Sequence, residues 1–248
     1  MDLREQHFSG QRHPWEVVRA EFLLDLVARH RPVAAPLHAA DVGSGDGWLT
    51  ERLLASFAPG STMHCWDAHF SDDDLVAPSP ERMQRSRRGP DHPVHLVTAF
   101  DVLEHVADAA SFLREEIRPA IRPDGVLVVS VPAHQVLFTD HDRALGHHRR
   151  YDRALLLEHL DGDFDVVADG ALFTTLLAPR AIASAVERVR GPRTVPDVAS
   201  RWEHGTVVTA AVTAVLRADA AFGRWMAGRR RRPTGLSLWA VATPKLSS

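Results

Sequence analysis

The sequence predicts an α/β fold in which helices cover both faces of a parallel sheet. Segments with strand character alternate with segments of helical periodicity. Several strand segments are apolar throughout, most clearly residues 126–133 (VLVVSVPA), as expected for strands buried on both faces. A glycine-rich turn within residues 40–47 (ADVGSGDG) joins the first strand to the next helix.

The elements follow from hydrophobic periodicity and from the glycine and proline residues between them. The first strand lies within residues 36–45 and runs into the glycine turn. Further strands are predicted at residues 61–67, 82–87, 94–102, 126–133, 164–173 and 235–244. Helices are predicted at residues 15–30, 48–57, 108–121, 153–160 and 206–228. A mostly helical stretch therefore separates the last two strands.

The composition limits the classes of function. The chain has 248 residues, a net charge of −3 and 45% hydrophobic residues, which suits a globular protein without a general attraction to nucleic acid. A basic run, Arg229–Arg232, is the local exception. The polar N-terminus shows no signal peptide, and no apolar run approaches the ~20 residues that span a bilayer, so we expect a cytoplasmic protein. The single cysteine, Cys65, lies in an apolar segment and is expected to be a buried structural thiol.

Three glycines and two acids mark the turn after the first strand. Gly43, Gly45 and Gly47 let the backbone turn tightly and approach a ligand without a Cβ in the way. Asp41 precedes them inside the strand, and Asp67 closes the next strand, where a ribose diol would be held. The third glycine comes one residue too early for the dinucleotide fingerprint, which argues against a dinucleotide ligand. A dinucleotide-dependent oxidoreductase is kept as an alternative.

The pattern D-x-G-x-G-x-G in this turn resembles the first motif of class I S-adenosylmethionine (SAM) dependent methyltransferases. Residues 100–108 (FDVLEHVAD) resemble the D-V-L-E-H-V segment of the large small-molecule group of these enzymes. The resemblance extends over about residues 36–173. It implies a Rossmann-like, doubly wound sheet of seven strands whose last strand is antiparallel. It also implies SAM as the cofactor and S-adenosylhomocysteine (SAH) as the product.

Under this resemblance the whole chain, residues 1–248, is one methyltransferase domain. We expect residues 1–35 to form an N-terminal helical cover and residues 36–173 the SAM-binding core. Residues 174–233 would be a helical insertion over the acceptor, and residues 234–248 the final strand and tail. The insertion could instead form a homodimer face or a membrane-surface patch.

The resemblance assigns cofactor contacts residue by residue. The three glycines would line the methionine and ribose side of SAM. Asp41 would orient the turn and the amino group of the ligand, and Asp67 would accept hydrogen bonds from the ribose hydroxyls. On the opening helix, Trp15 and Arg19 are expected to fold over the cofactor.

Residues after the second and fourth strands complete the expected cofactor site. Phe100, Asp101 and Leu103 would lie beside the methionyl part and the sulfonium. Trp66 would pack near the adenine, for which no acidic reading residue is assigned. Glu104, beside His105, fits either local hydrogen bonding or a role in the site.

Residues 140–153 (DHDRALGHHRRYDR) follow the fifth strand, so they are expected at the acceptor side of the crevice. They resemble an H-D-x-x-L-G-H-x-R-R-Y signature of a bacterial subgroup of these methyltransferases. His147 or His141, with His105 in reserve, could accept a proton from the acceptor. The acceptor-binding residues expected in this region are His134, Arg149, Arg150 and Tyr151, with the two arginines as an anion clamp.

This stretch has two other interpretations. In one, pairs of the Asp142–Arg149 type merely pin a structural loop. In the other, a metal ion binds to acids and histidines of the stretch, namely Asp140, His141, Asp142, His147 and His148. These residues lack a recognised ligand spacing and the arginines would repel a cation, so no metal site is expected.

The sequence therefore predicts a SAM-dependent methyltransferase acting on an oxygen, or less favourably a nitrogen, of a small or peptide-sized acceptor, such as a natural product. Two alternatives stay open besides the dinucleotide-dependent oxidoreductase. One is a SAM-binding protein with a non-methylating role. The other is a nucleic-acid methyltransferase that uses Arg229–Arg232, although the net charge argues against a nucleic-acid partner.

Overall fold

The seven strands form one mixed sheet in a computed structural model, which describes residues 12–31, 35–190, 202, 204–226 and 234–246. The strands are β1 (His38–Val42), β2 (Thr62–Trp66), β3 (Met83–Ser86), β4 (Val94–Phe100), β5 (Ile121–Pro132), β6 (Phe164–Leu172) and β7 (Ser237–Pro244). Their order is β3-β2-β1-β4-β5-β7-β6. Pairings are parallel from β3 through β5, and β7 is antiparallel to both β5 and β6. The predicted fold class, with its antiparallel last strand, is confirmed.

The helices lie on both faces of this sheet. They are α1 (Pro14–His30), α2 (Trp48–Ser56), α3 (Asp72–Val76), α4 (Ala109–Phe112), α5 (Arg118–Ala120), α6 (Asp140–Ala144), α7 (Arg153–Asp161), α8 (Leu177–Arg190) and α9 (Thr206–Met226). One apolar core packs the sheet against α4, α5 and α7. A second core packs it against α1, α2 and α9. The position of the sheet between two cores explains why the central part of β5, residues 126–129, is apolar on both faces.

Local differences from the predicted elements have local causes. The helix predicted at 108–121 is interrupted by a π-helical turn at Leu113–Ile117. Pro119 follows this turn and has no amide hydrogen to donate to it. The chain then enters β5 at Ile121, five residues before the predicted start, and the three exposed residues that follow lie where the register with β4 shifts. The short helices α3 and α6 were not predicted, because each is barely longer than one turn.

Helix α9 differs from the expectation that no apolar segment approaches the length needed to span a bilayer. Among the described residues it is the one helix long and apolar enough to cross a membrane, judged by length and composition. Only 22% of its apolar window is buried. Val207 and Trp225 are 81% and 60% exposed, while Leu216 faces the core. The helix thus has one packed face and one exposed apolar face.

Candidate functional site

The sheet has its topological switch point between β1 and β4. From β1 the chain continues outward to β2 and β3, and from β4 it continues the other way to β5. In open α/β sheets of this type, ligands bind in the crevice outside the carboxyl ends of the strands at that point. The glycine turn follows β1 and residues 101–105 follow β4, so both predicted motifs lie at this edge.

Strained backbone marks the same edge of the sheet. The strands β4, β5 and β6 run in the same direction, and each is followed within two residues by a residue with positive φ. These residues are Asp101 (φ 55°), His134 (φ 65°) and Phe173 (φ 61°). Among the described residues, they are the three with positive φ that are not glycine. Such conformations are costly and cluster where a fold holds functional groups in place. Asp101 and His134 were both predicted as site residues.

The glycine turn is built on left-handed backbone. Gly43, Gly45 and Gly47 have φ values of 65°, 55° and 80°, which glycine adopts without penalty. The amide of Gly43 donates to the carbonyl of Trp66, 2.7 Å away, and so joins the turn to the end of β2. A Cβ on Gly43 would lie 2.7 Å from Cγ2 of Val102. Glycine is therefore required there by both the conformation and the close approach of the segment after β4.

Asp67 and Ser44 place polar atoms beside this turn. The buried carboxylate of Asp67 accepts hydrogen bonds from the amides of Gly45 (3.1 Å) and His69 (2.9 Å). The hydroxyl of Ser44 is buried and has no hydrogen-bond partner within the described chain. A buried hydroxyl without a partner is unfavourable, and a polar ligand group at the turn would satisfy it. Sequence reasoning missed Ser44, because a serine between two glycines is common in any tight turn.

Asp41 holds the turn from below. Its carboxylate accepts hydrogen bonds from the hydroxyls of Thr50 in α2 and Thr98 in β4, the latter at 2.6 Å. Burial raises the pKa of Asp41, although the two hydroxyl donors act against that effect. The side chain therefore fixes α2 and β4 relative to the turn. The carboxylate is 3% exposed, and its expected contact with the amino group of the ligand stays a prediction.

Helix α1 reaches over both halves of the crevice. The guanidinium of Arg19 lies 2.7 Å from the carboxylate of Asp101 and donates to Ser130 Oγ at 2.9 Å. Seven residues earlier, Arg12 pairs with Asp46 of the glycine turn. This cation also lies 4.4 Å from the ring centre of Trp48. These contacts agree with the cover predicted for the N-terminal helix.

Three residues expected at the cofactor are largely buried, and their contact with a cofactor stays a prediction. Phe100, Leu103 and Trp66 have 4%, 0% and 6% of their surface exposed. The indole of Trp66 packs against Phe112, with ring centres 6.1 Å apart. The apolar character of these side chains favoured burial over ligand contact, so only their backbone or an exposed edge is available to a cofactor.

The segment after β5 is organised around Asp142. Its Oδ1 accepts from Nε of Arg150 at 2.7 Å and lies 3.1 Å from Nδ1 of His147. Its Oδ2 accepts from the amide of Thr139 at 2.8 Å. Burial opposes ionisation, but the hydrogen bonds from His147 and Arg150 outweigh it and hold the pKa of Asp142 well below its usual range. The buried carboxylate thus pins residues 139–150 as one unit.

Both arginines of the predicted anion clamp have partners within the protein. Arg150 is committed to Asp142, and Arg149 donates to the carbonyl of Ala107. Tyr151 has no exposed surface, and its hydroxyl donates to the carbonyl of Leu103 at 3.1 Å. Tyr151 therefore supports the turn after β4 and does not face an acceptor. The interpretation as a pinned loop describes these contacts best, with Arg150 in the place expected for Arg149.

Two of the three predicted catalytic histidines lie together, and the third lies apart. His147 and His105 meet edge to face with ring centres 4.5 Å apart, beside Glu104. One potential ligand atom from each of these three residues lies within 4.8 Å of the others. His141 lies apart on the exposed side of α6. Partial burial is the main cause of its lowered pKa.

Glu104 is the most unusual ionisable group of the site. Its side chain is fully buried, and neither carboxylate oxygen has a hydrogen-bond partner within the described residues. Burial, and next the charge of Asp101, raise its pKa well above the usual range. Perturbed acids of this kind concentrate at functional sites.

His134 lies at the end of β5, where an acceptor residue was expected. Its amide donates to the carbonyl of Tyr151 at 2.8 Å. Nε2 of its ring lies 2.6 Å from the hydroxyl of Thr234, just before β7. The ring is partly exposed, so it remains available at the edge of the crevice.

Comparison with known proteins adds structural relatives. No protein-family model matches the chain, and no curated protein matches it. Among solved structures, a protein from Galdieria sulphuraria described as a sarcosine dimethylglycine methyltransferase is similar, with a TM-score of 0.56 and 12% identity over 92% of this chain and 85% of that one. Coclaurine N-methyltransferase bound to N-methylheliamine and SAH has a TM-score of 0.54 and 13% identity over 90% and 70%.

A third similar structure is the [4+2]-cyclase SpnF, with a TM-score of 0.55 and 16% identity over 98% of this chain and 86% of that one. At such low identity these likenesses concern the fold alone. The chain therefore has the fold of class I SAM-dependent methyltransferase structures, a fold that also serves a cyclase.

Proposed function

We infer that this protein is a SAM-dependent methyltransferase acting on a small or medium-sized acceptor. The observation that carries the proposal is the glycine turn at the switch point, where Ser44 presents a buried, unpartnered hydroxyl beside the carboxylate of Asp67. A ligand with hydroxyl and amino groups would satisfy both. SAH is bound in one of the similar structures, which supports the same cofactor class here.

The residues that would hold SAM lie on the turn and on the segments that face it. Backbone groups of Gly43 and Gly45 and the hydroxyl of Ser44 would meet the ligand, with Asp67 at its ribose. Asp101 and Arg19 would lie at its methionyl end. When bound, SAM supplies a sulfonium methyl group, and the protein mainly aligns the acceptor with it.

Oxygen is the favoured target atom, because a hydroxyl must lose its proton and a suitable base is near. Nδ1 of His147 faces the carboxylate of Asp142, which leaves Nε2 as the basic nitrogen. Its side chain is 10% exposed and lies against His105. We propose His147 as the proton acceptor, with His105 as its neighbour, and His134 as an acceptor-binding residue. His141, exposed on α6, is the weaker candidate.

A SAM-binding protein with a non-methylating role is the second candidate. The observation in its favour is the cyclase among the similar structures. Such a protein would keep the glycine turn and would need no proton acceptor near the donor.

Methyl transfer with isotope-labelled SAM tests the proposal. The purified chain is incubated with a panel of phenols, aliphatic alcohols and amines, and labelled products are identified by mass spectrometry. We expect label on an oxygen of at least one acceptor, together with SAH, and a large loss of turnover in His147→Ala. Tight SAH binding without labelled product from any acceptor would favour the non-methylating role.

A further inference from the structure

We propose that Glu104, His105 and His147 bind a divalent transition metal ion, and we take zinc as the ion to test. Two imidazoles and one carboxylate form a common three-residue ligand set for Zn²⁺. One potential ligand atom from each residue already lies within 4.8 Å of the others. Binding would need only a small contraction of this cluster around the ion.

The carboxylate of Glu104 indicates that the cluster lacks a component. Both oxygens are buried and without a hydrogen-bond partner in the described chain. Native structures rarely leave a buried carboxylate in this state, because its desolvation is compensated only by a partner. A cation between Glu104 and the two imidazoles would supply that partner directly.

The surroundings of His147 match a metal-binding histidine. Its Nδ1 lies 3.1 Å from the carboxylate of Asp142, so Nδ1 carries the proton and Nε2 presents a lone pair. Histidines that bind metals almost always donate their second nitrogen to a carboxylate or carbonyl in this way. Asp142 is itself held by Arg150 and by the amide of Thr139, which fixes the ring orientation.

The nearby arginines do not oppose a cation here. Arg150 is neutralised by Asp142, and Arg149 donates to the carbonyl of Ala107. Arg19 is paired with Asp101, whose negative charge lies close enough to affect Glu104. Two of these three cations are therefore paired with carboxylates, and the third is held by a backbone carbonyl. The ligand set also differs from the one considered from the sequence, since only His147 is shared.

The ion would join two segments of the site. Glu104 and His105 lie in the turn after β4, while His147 lies in the loop pinned by Asp142 after β5. Three protein ligands leave one coordination position, which is typical of zinc sites that bind water or substrate. This last point rests on the proposed function: a bound acceptor hydroxyl would lose its proton more readily on the ion. In the metal-bound protein His147 would orient the ion and the proton of the acceptor would pass to solvent; Nε2 of His147 would accept that proton only in the metal-free protein.

Metal binding can be measured without any methyl acceptor. Protein stripped with a chelator is titrated with Zn²⁺ against a chromophoric competitor, and with Co²⁺ while visible absorption is recorded. We expect one ion per chain and a Co²⁺ spectrum of low coordination number. His147→Ala and Glu104→Gln should each lower the affinity at least 100-fold, and Asp142→Asn about 10–100-fold.

His148→Ala is the matched control, because His148 is the exposed neighbour of His147 in the same loop. It should bind Zn²⁺ like the unchanged protein. Thermal unfolding without metal checks that each variant folds. His105→Ala is a third ligand variant, which replaces Glu104→Gln if that variant does not fold. Absence of bound ion in the unchanged protein, or binding that survives all three ligand variants, would overturn the proposal. SAH titration on the same samples separates this outcome from a failure of the proposed function.

Discussion

The guanidinium of Arg19 in α1 lies 2.7 Å from the carboxylate of Asp101, the residue that leaves β4 with a positive φ. Only 7% of the Arg19 side chain is exposed, and it also bonds to Ser130 of β5. One buried cation thus connects the covering helix to two strand ends at the crevice. The strained conformation of Asp101 is held by this contact and by the hydrogen bond that its amide donates to the carbonyl of Ser130.

Arg19→Ala should therefore lower stability and weaken cofactor binding together. Loss of the cation leaves the Asp101 carboxylate without its ion pair, at a cost of ~2–4 kcal/mol in the free energy of unfolding. Urea denaturation measures that cost, and SAH titration should show at least a tenfold weaker affinity. The control is Arg217→Ala, which breaks the exposed ion pair between α9 and Glu21. It should cost less than ~1 kcal/mol, and an equal loss in both variants would contradict the role given to Arg19.

Gly43→Ala should lower the free energy of unfolding by more than the cost of placing an alanine at positive φ. A left-handed alanine costs about 1 kcal/mol, and the clash with Val102 should add ~1–3 kcal/mol. Gly146→Ala is a close control, since Gly146 has φ 81° and nothing within 4 Å of an added Cβ. Chemical denaturation of both variants should show the larger loss for Gly43→Ala. Similar losses would mean that Val102 moves aside and that the close approach is not a constraint.

Asp142→Ala should unfold the loop that follows β5, because Arg150 and His147 lose the carboxylate that accepts their hydrogen bonds. The free energy of unfolding should fall by ~3–5 kcal/mol. Asp140→Ala removes an exposed acid from the same short helix, where it pairs with Arg143. That change should cost no more than ~1 kcal/mol. Hydrogen exchange over residues 139–151 reports the loop directly. Unchanged protection in Asp142→Ala would show that the loop is held by other contacts.

Cys65 should be almost inert in the native protein. It is 1% exposed in the middle of β2, and burial raises its pKa to about 12. Only the thiolate reacts with disulfide reagents, so at pH 8 modification should require unfolding. The rate of reaction with a chromogenic disulfide should rise with denaturant in parallel with the unfolding transition. Fast modification without denaturant would reveal local opening of β2.

Most of the fold could be predicted from the sequence because its signals are local. Apolar runs such as 126–133 and the alternation of strands with helices predict a parallel sheet even when the exact ends of the elements are not known. The glycine turn was predicted correctly because positive φ and close approach leave no other residue. Cys65 was predicted as a buried thiol for the same reason: an apolar strand surrounds it.

The site could be predicted only in part, because its contacts join distant segments. Phe100, Leu103 and Tyr151 lie near the predicted edge of the sheet, yet tertiary packing buries them in the core. The sequence gives no signal that Glu104 is fully buried, since an acid next to a histidine is usually solvated. Nor does it reveal that Arg150, and not Arg149, pairs with Asp142.

The most direct test of the account is calorimetric titration of the protein with SAH and, separately, with NADH. The account predicts saturable binding of one SAH per chain, lost or strongly weakened in Gly43→Val, with no measurable heat from NADH. The valine would place a branched side chain where even a Cβ lies 2.7 Å from Val102. Saturable NADH binding together with an absence of SAH binding would contradict the account and assign the glycine turn to a dinucleotide.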